Sequence, residues 1–402
     1  MININAGSEF QNKQIAFSKG SYITVEDKRV PEQFYIIIKG KVSISRVSLA
    51  AIQDKKYELG PGDFFGIISA MSGHSQIETA LALTDIIVMP IRQDHFTNFI
   101  QADIPMANKI LLDFSKLMRN LNEILSELTF KTSTTVNPRH LFSVAEYYTS
   151  QKQFDIAMSV YRKYIEYFAD DGNVNLAKQY MEKIAAFVKT DLQYKKINDL
   201  ARIYPKNSMI FCEGEPGDEL FIIKSGMVKI SKVVDNKEIL LAVLSKGDIF
   251  GEMAIIESKP RGATAIAYED SQILAVNNKN FDQLIKTQAS LISHLTSLLA
   301  IRIWVIYKMI TNTQITDPLG RMLDMLFIQL EKKRVNMNVT KKFVFDFGPK
   351  ELINMVGLTL ADGSVVIQKL LKNKYMGLEQ DKIAINDMFE FFKQANFHRP
   401  KR

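Results

Sequence analysis

The stretch Phe250–Ala265, FGEMAIIESKPRGATA, decides how the rest of the chain is read. It follows VLSKGD (Val243–Asp248), a strand-and-turn signal. Its residue types suit a small anion. The planar guanidinium of Arg261 offers a fork of donors to phosphate oxygens. The backbone N–H groups of Gly262, Ala263 and Thr264 add a nest of donors, provided their side chains stay small. A short helical turn after Gly251, carrying Glu252, Met253 and Ala254, aims further N–H groups at the same anion. Ionised Glu252 accepts hydrogen bonds only, so it suits a sugar hydroxyl, and its charge orients Arg261. The plain alternative is a surface salt bridge on a β-turn. A lone Gly-Glu pair would fit that alternative. A pattern spread over Gly251, Glu252, Pro260, Arg261, Ala263 and Thr264 behind a strand fits the anion site better.

This pattern resembles the phosphate-binding cassette of cyclic-nucleotide-binding domains, the family shared by catabolite-activator-type regulators, cyclic-nucleotide-dependent kinases and gated channels. Gly262 stands where many members have Ala. The resemblance implies a β-roll, a 3′,5′-cyclic mononucleotide as allosteric ligand, and no cofactor. It places Glu252 on the ribose 2′-hydroxyl and Arg261 on the phosphate. Relatives that prefer cyclic GMP often carry a hydroxyl directly after the arginine; Gly262 has none, which tilts the expectation to cyclic AMP.

The same text occurs twice. FYIIIKGKVSIS (Phe34–Ser45) matches FIIKSGMVKIS (Phe221–Ser231), and GPGDFFG (Gly60–Gly66) matches SKGDIFG (Ser245–Gly251). Gly66 to Gly251 and Thr79 to Thr264 share one offset of 185 residues. An internal duplication follows. At that offset Ile67 replaces Glu252, Gln76 replaces Arg261, and Glu78 adds a negative charge where the anion would sit. The first copy is therefore expected to keep the fold and lose the phosphate chemistry.

At 402 residues the chain calls for several domains. Charged residues at 24% and hydrophobic ones at 47% give an ordinary globular balance. Cys212 alone excludes a disulfide framework, and five scattered histidines show no metal-ligand spacing. No secretion signal opens the sequence, and the apolar run Leu298–Ile306 is short and broken by Arg302. A cytoplasmic protein without a membrane span is expected. Net charge is +7, and from Ile315 onward fifteen Lys and Arg stand against ten Asp and Glu. This asymmetry suits an anionic partner, double-stranded DNA first.

Taken in order, the expected architecture is α+β. A degenerate β-roll, jelly-roll-like, with a trailing helix spans 8–130. Ile110, Phe114, Leu117, Leu121, Ile124 and Leu128 form a coiled-coil-like seam in that helix. A helical hairpin or plain helical linker spans 137–190. Ala145, Tyr148, Ala157 and Tyr161 fall at tetratricopeptide-like positions there, and one such unit must lean on a neighbour or a protein partner. The second roll and a long helix span 195–312. Leu291, Leu295, Leu298, Val305 and Met309 form one apolar stripe of that helix, with Leu299, Ile303, Ile306 and Ile310 opposite. Such a helix needs cover on two sides, from the roll and from a second helix in the same chain or in a homodimer.

Residues 315–395 resemble the winged helix-turn-helix of catabolite-activator/FNR-type regulators. A helix (DPLGRMLDMLFIQLEKKR) leads into strand-like VNMNVT and KKFVFDFG, then helix, turn at Gly357, helix, and the hairpin GLEQDKIAIN. Leu352, Val356, Val366, Ile367 and Leu370 fit the motif's core, and Thr359 fits the N-cap of the second helix. Positions that reach base edges in that family fall on Leu360, Ala361 and Val365, which cannot hydrogen-bond a base. Gly363 weakens the helix relative to Ala. Lys350, Thr359, Ser364, Gln368, Lys369 and Lys372 remain as contacts to phosphates or groove edges, and Lys374, Lys401 and Arg402 add charge. The leading expectation is a cyclic-nucleotide-responsive transcription regulator. The rival is a cyclic-nucleotide-binding adaptor without base reading. No paired carboxylates, nucleophile–base set or metal cluster suggests an enzyme.

Overall fold

The computed structural model describes residues 14–28, 32–46, 57–130, 138–188, 194–198, 200–234, 237–277 and 289–398. It is a mixed α/β chain with two β-rolls, and it divides into two compact units. One comprises residues 1–121 with 279–311, the other 122–278 with 312–402.

In the first unit, β1 (Ile15–Phe17), β2 (Tyr22–Thr24), β3 (Gln33–Lys39), β4 (Val42–Ser45), β5 (Tyr57–Leu59) and β6 (Phe64–Phe65) precede the short helix α1 (Ile67–Ser72). Then come β7 (Thr79–Ala82), β8 (Ile86–Arg92), α2 (Phe96–Ala102) and the long α3 (Ile104–Phe130), which belongs to this unit up to Leu121. The strands form two antiparallel sheets, in the orders β1-β8-β3-β6 and β2-β7-β4-β5. Period-two alternation sends Val42 and Ile44 into the core with Tyr35, Ile37, Phe65 and Val88. Gly40 turns β3 into β4 at φ 94°, and a Cβ there would lie 2.5 Å from the Asp85 carbonyl, so only glycine fits.

The second unit repeats this plan. After α4 (Pro138–Ser150), α5 (Phe154–Tyr167) and α6 (Val174–Ala185) come β9 (Lys195–Lys196), β10 (Ala201–Tyr204), β11 (Met209–Phe211), β12 (Glu219–Ser225), β13 (Val228–Val234), β14 (Lys237–Leu244) and β15 (Ile249–Phe250). The helix α7 (Glu252–Glu257), β16 (Thr264–Ala267) and β17 (Ser271–Asn277) complete the roll. Its sheets run β15-β12-β17-β10-β9 and β11-β16-β13-β14, the first roll's orders with one edge strand added. Gly226 repeats Gly40: its φ is 84°, and a Cβ would meet the Asp270 carbonyl at 2.3 Å.

Helices α4 and α5 bury Ala145, Tyr148, Ala157 and Tyr161 completely. Their cluster also takes in Met209, Cys212, Val233 and Ile266 of the second roll, so the roll covers the face the helices cannot close themselves. The hydroxyl of Tyr148 donates to Glu238 on β14 at 3.1 Å.

Helix α8 (Ala289–Asn312) follows the second roll in sequence, but its residues up to Thr311 group with the first roll. Trp304 stacks on His74 with ring centroids 4.1 Å apart, and Lys308 Nζ lies 2.6 Å from Asp27. Length and composition alone would let α8 cross a membrane, so the interruption at Arg302 is less decisive than the sequence suggests. Here Leu299, Ile303, Trp304 and Ile310 are buried. In α3, Met118 is buried where the expected seam has Leu117, which is half-buried; Ile110, Phe114, Leu121 and Ile124 are buried.

The C-terminal part opens with α9 (Pro318–Lys332), capped by the Asp317 carboxylate on the N–H groups of Leu319 and Gly320. It continues with β18 (Phe343–Val344), α10 (Pro349–Met355), α11 (Leu360–Leu371), β19 (Met376–Glu379), β20 (Lys382–Ile385) and α12 (Met388–His398). A three-stranded sheet runs β18-β20-β19. VNMNVT is not a strand: the carbonyl of Asn336 accepts from Val339 and Thr340, and its side chain accepts from Asn338, a local turn that competes with pairing. KKFVFDFG is extended only at Phe343–Val344. Lys401 and Arg402 lie outside the described residues.

Candidate anion-binding site

The cassette of the second roll starts where β15 ends. Gly251 turns the chain at φ 76° into α7, a conformation that glycine adopts without strain. Glu252, first residue of α7, is buried, Met253 is half-buried and Ala254 is buried. After the helix the backbone is clamped to the Cys212–Glu215 turn. Gly214 N–H donates to the Arg261 carbonyl at 2.9 Å, and Arg261 N–H donates to the Glu215 carbonyl at 2.8 Å. The Thr264 hydroxyl accepts from Glu213 N–H at 3.1 Å. Gly262 and Ala263 are half-buried between these fixed points.

Arg261 is only 4% exposed. Its Nη1 donates to the Gly251 carbonyl at 2.7 Å, and its guanidinium lies over the Phe211 ring at 4.4 Å. Nε is buried and meets no hydrogen-bond partner among the described residues. One end of the guanidinium is thus anchored, and the Nε–Nη2 edge has the donor geometry that grips an anion in a bidentate manner. Burial pushes the guanidinium below its ordinary pKa, opposed by the carboxylates of Glu215, Glu219, Asp218 and Glu252. A buried guanidinium in this state gains from an added anion.

The structure brings together Gly251, Glu252 and Arg261 as the sequence suggests, and adds residues the sequence does not reveal. A Cβ on Gly217 would lie 2.3 Å from the Arg261 guanidinium, so Gly217 provides room rather than a special turn, its φ being ordinary. Glu215 is buried beside the site, and Lys163 of α5 pairs with it at 2.6 Å. Burial pushes the Glu215 carboxyl up, and Lys163 and Arg261 pull it back. Gly217 is visible in EGEPGDEL only as a turn signal; the Lys163 contact spans 52 residues and leaves no local pattern.

The first roll keeps the same backbone clamp. Asp27 N–H donates to the Gln76 carbonyl at 2.8 Å, Gln76 N–H to the Lys28 carbonyl at 3.0 Å, and Glu26 N–H to the Thr79 hydroxyl at 3.0 Å. Ile67 and Gln76, in place of Glu252 and Arg261, are buried. The clamp has survived without its guanidinium.

In the C-terminal part, Leu352, Val356, Ile367 and Leu370 are buried and Val366 is half-buried. Thr359 caps α11, its hydroxyl accepting from Asp362 N–H at 3.1 Å. Lys350, Thr359, Ser364, Gln368, Lys369 and Lys372 all face solvent, as do Leu360, Ala361 and Val365. The Ser364 hydroxyl donates to the Leu360 carbonyl at 2.6 Å, which uses its only donor. Gly363 is buried, and a Cβ there would come within 2.5 Å of Ile353, so close helix packing explains this glycine.

The family model "cyclic nucleotide-binding domain" matches residues 14–103 and 201–288. A CRP-like cAMP-activated global transcriptional regulator of Mycobacterium tuberculosis is 24% identical over 193 residues, covering 48% of this chain and 86% of that protein. The cyclic AMP receptor protein of Thermus thermophilus is 34% identical over 103 residues, covering 25% of this chain and 48% of that protein. Among solved structures, a CRP/FNR-family transcriptional regulator of Thermus thermophilus aligns at 22% identity with a TM-score of 0.39, over 49% of this chain and 98% of that one. The match places two cyclic nucleotide-binding domains in tandem on the chain, which is similar over about half its length to CRP-like cAMP-activated transcriptional regulators.

Proposed function

We propose that the chain is a non-catalytic cyclic-AMP-responsive regulator whose second roll takes the nucleotide and whose C-terminal part holds double-stranded DNA. The observation that carries the ligand half is Arg261, buried, anchored on Gly251 and with Nε unpaired. The cyclic phosphate meets its Nε–Nη2 edge and the N–H groups of Gly262, Ala263 and Thr264. Glu252 takes the ribose 2′-hydroxyl, and Met253 and Ala254 line the turn.

For the DNA half, α10 and α11 serve as a helix-turn-helix and β18-β20-β19 as its wing. Lys350, Lys369 and Lys372 hold phosphates, while Thr359, Ser364 and Gln368 reach the groove. The nucleotide shifts a population of states, with α8, which joins the second roll to α9 in sequence, as the relay. Pairing of the long helices of two chains would give a homodimer, and the tetratricopeptide-like helices α4 and α5 offer a protein contact. Nothing in this scheme requires a membrane, and a cytoplasmic setting suits it.

The exposed apolar face of Leu360, Ala361 and Val365 favours a second reading, an adaptor without sequence-specific DNA binding. A gel shift on random duplex, with and without cyclic AMP across a salt series, separates the two. The regulator reading expects ligand-dependent binding that falls steeply with salt. A best selected site should exceed random duplex by less than roughly 10³-fold. Absence of duplex binding at any salt with ligand present favours the adaptor.

A further inference from the structure

The first roll already contains an anion where its duplicate would take one from solution. We infer that the Glu78 carboxylate is a tethered stand-in for the ligand phosphate, holding the first roll in its loaded form as the anchor for α8. The inference rests on the second roll being the ligand-binding copy.

Glu78 occupies the position of Ala263 at the common offset, inside the cassette. Its Oε1 accepts from the N–H of Gly66, the counterpart of Gly251, at 3.3 Å. Its Oε2 accepts from Arg46 Nη2 at 3.1 Å and from the Tyr57 hydroxyl at 3.4 Å. A backbone N–H, a guanidinium and a hydroxyl thus surround one carboxylate, the donor set an anion site needs. Arg46, at the end of β4, supplies the cation that Gln76 no longer provides. The pair is well shielded, with side chains 15% and 8% exposed, and a buried carboxylate is tolerated only when its oxygens are satisfied in this way. A free nucleotide phosphate would have to displace Glu78 or sit against its charge.

The filled site continues into the α8 contact. Thr79, next to Glu78, receives the Glu26 N–H, and the Thr24 hydroxyl donates to the Glu78 carbonyl at 3.4 Å. Glu26 in turn accepts from the Tyr307 hydroxyl, and Asp27 holds Lys308 at 2.6 Å. His74, in the same cassette, carries the Trp304 ring. One turn, Thr24–Asp27, therefore holds the backbone of Glu78 and the Thr79 hydroxyl on one side and α8 on the other. At Arg46, burial is outweighed by Tyr57, Glu78 and Tyr307, which hold the guanidinium above its ordinary pKa.

The test uses hydrogen exchange of α8 amides in the full chain. Glu78→Gln keeps the size and removes the charge; α8 should exchange roughly tenfold faster or more, the scale of one charge-assisted contact. Glu78→Ala should also exchange faster, and sodium acetate should restore protection where sodium chloride of equal ionic strength does not. Adding Arg46→Ala to Glu78→Ala should abolish the acetate response. Unchanged exchange in Glu78→Gln, or acetate slowing the unsubstituted chain as much as Glu78→Ala, would overturn the inference. If Glu78→Ala fails to fold, Glu78→Gln decides. Titration of the unsubstituted chain with cyclic AMP is scored separately, so a silent second roll would sink the ligand reading and leave the α8 result intact.

Discussion

The guanidinium of Arg261 and the carbonyl of Gly251 are joined by a 2.7 Å hydrogen bond that fixes one end of the arginine against the start of α7. The bond occupies Nη1 alone. Arg261→Lys keeps the positive charge, but an ammonium cannot hold the carbonyl and still present a planar fork. Charge-assisted bonds of this kind contribute about 1.5–3 kcal/mol, so calorimetry should show roughly tenfold to a hundredfold weaker cyclic AMP binding. An unchanged dissociation constant would mean that the anion sits elsewhere.

Gly217 tests the same geometry from the opposite side. A methyl at this position would lie 2.3 Å from Cζ and Nε of Arg261, and the flexible guanidinium is the partner that gives way. Gly217→Ala should leave the melting transition nearly in place and weaken cyclic AMP binding at least roughly tenfold. Equal losses in stability and affinity would point to a purely structural glycine.

Gly363 makes a contrasting prediction for the C-terminal part. Propensity alone says that alanine would stabilise α11 by about 0.5–1 kcal/mol. The contact with Ile353 at 2.5 Å says otherwise. Gly363→Ala should lower stability by about 1–3 kcal/mol in urea titration, the scale of overpacking, and Ile353→Ala, which removes the clashing Cγ1 and Cγ2, should cost less in that background than in the unsubstituted chain. A stabilised single variant would show that α10 and α11 are less closely packed.

Glu238 gives an acid-sensitive link between β14 and α4. Burial pushes its carboxyl up, but Lys229 at 2.6 Å, Ser231 at 2.8 Å and Tyr148 at 3.1 Å outweigh burial and hold it below its ordinary value. A carboxyl depressed in the folded state adds stability above the unfolded value, near about 4.3, and loses it as pH falls through the lower folded value. The unsubstituted chain should therefore lose more stability between about pH 7 and about pH 3 than Glu238→Gln does, measured by urea midpoints. Parallel losses would remove Glu238 from the acid response.

The duplication makes the two rolls legible, because Gly66 and Gly251, or Thr79 and Thr264, repeat at one spacing together with their strands. The closeness of Glu252 and Arg261 is legible for a similar reason: they lie near each other in sequence, and Arg261 bonds the Gly251 carbonyl beside Glu252. What stays hidden depends on contacts across many residues. Nothing local says that Lys163 reaches Glu215, that Tyr307 reaches Glu26, or that Gly217 makes room for Arg261. Glu78 is legible as a charge in the anion's place, but its satisfaction by Arg46 and Tyr57 needs the folded sheet. VNMNVT misleads because alternating apolar residues imitate a strand, while Asn336 closes a turn on itself.

Titration calorimetry of the full chain with cyclic AMP tests the central claim most directly. One site per chain is expected, lost in Arg261→Ala and retained in Gln76→Ala. Two equivalent sites, no heat of binding, or a site that survives Arg261→Ala would contradict it.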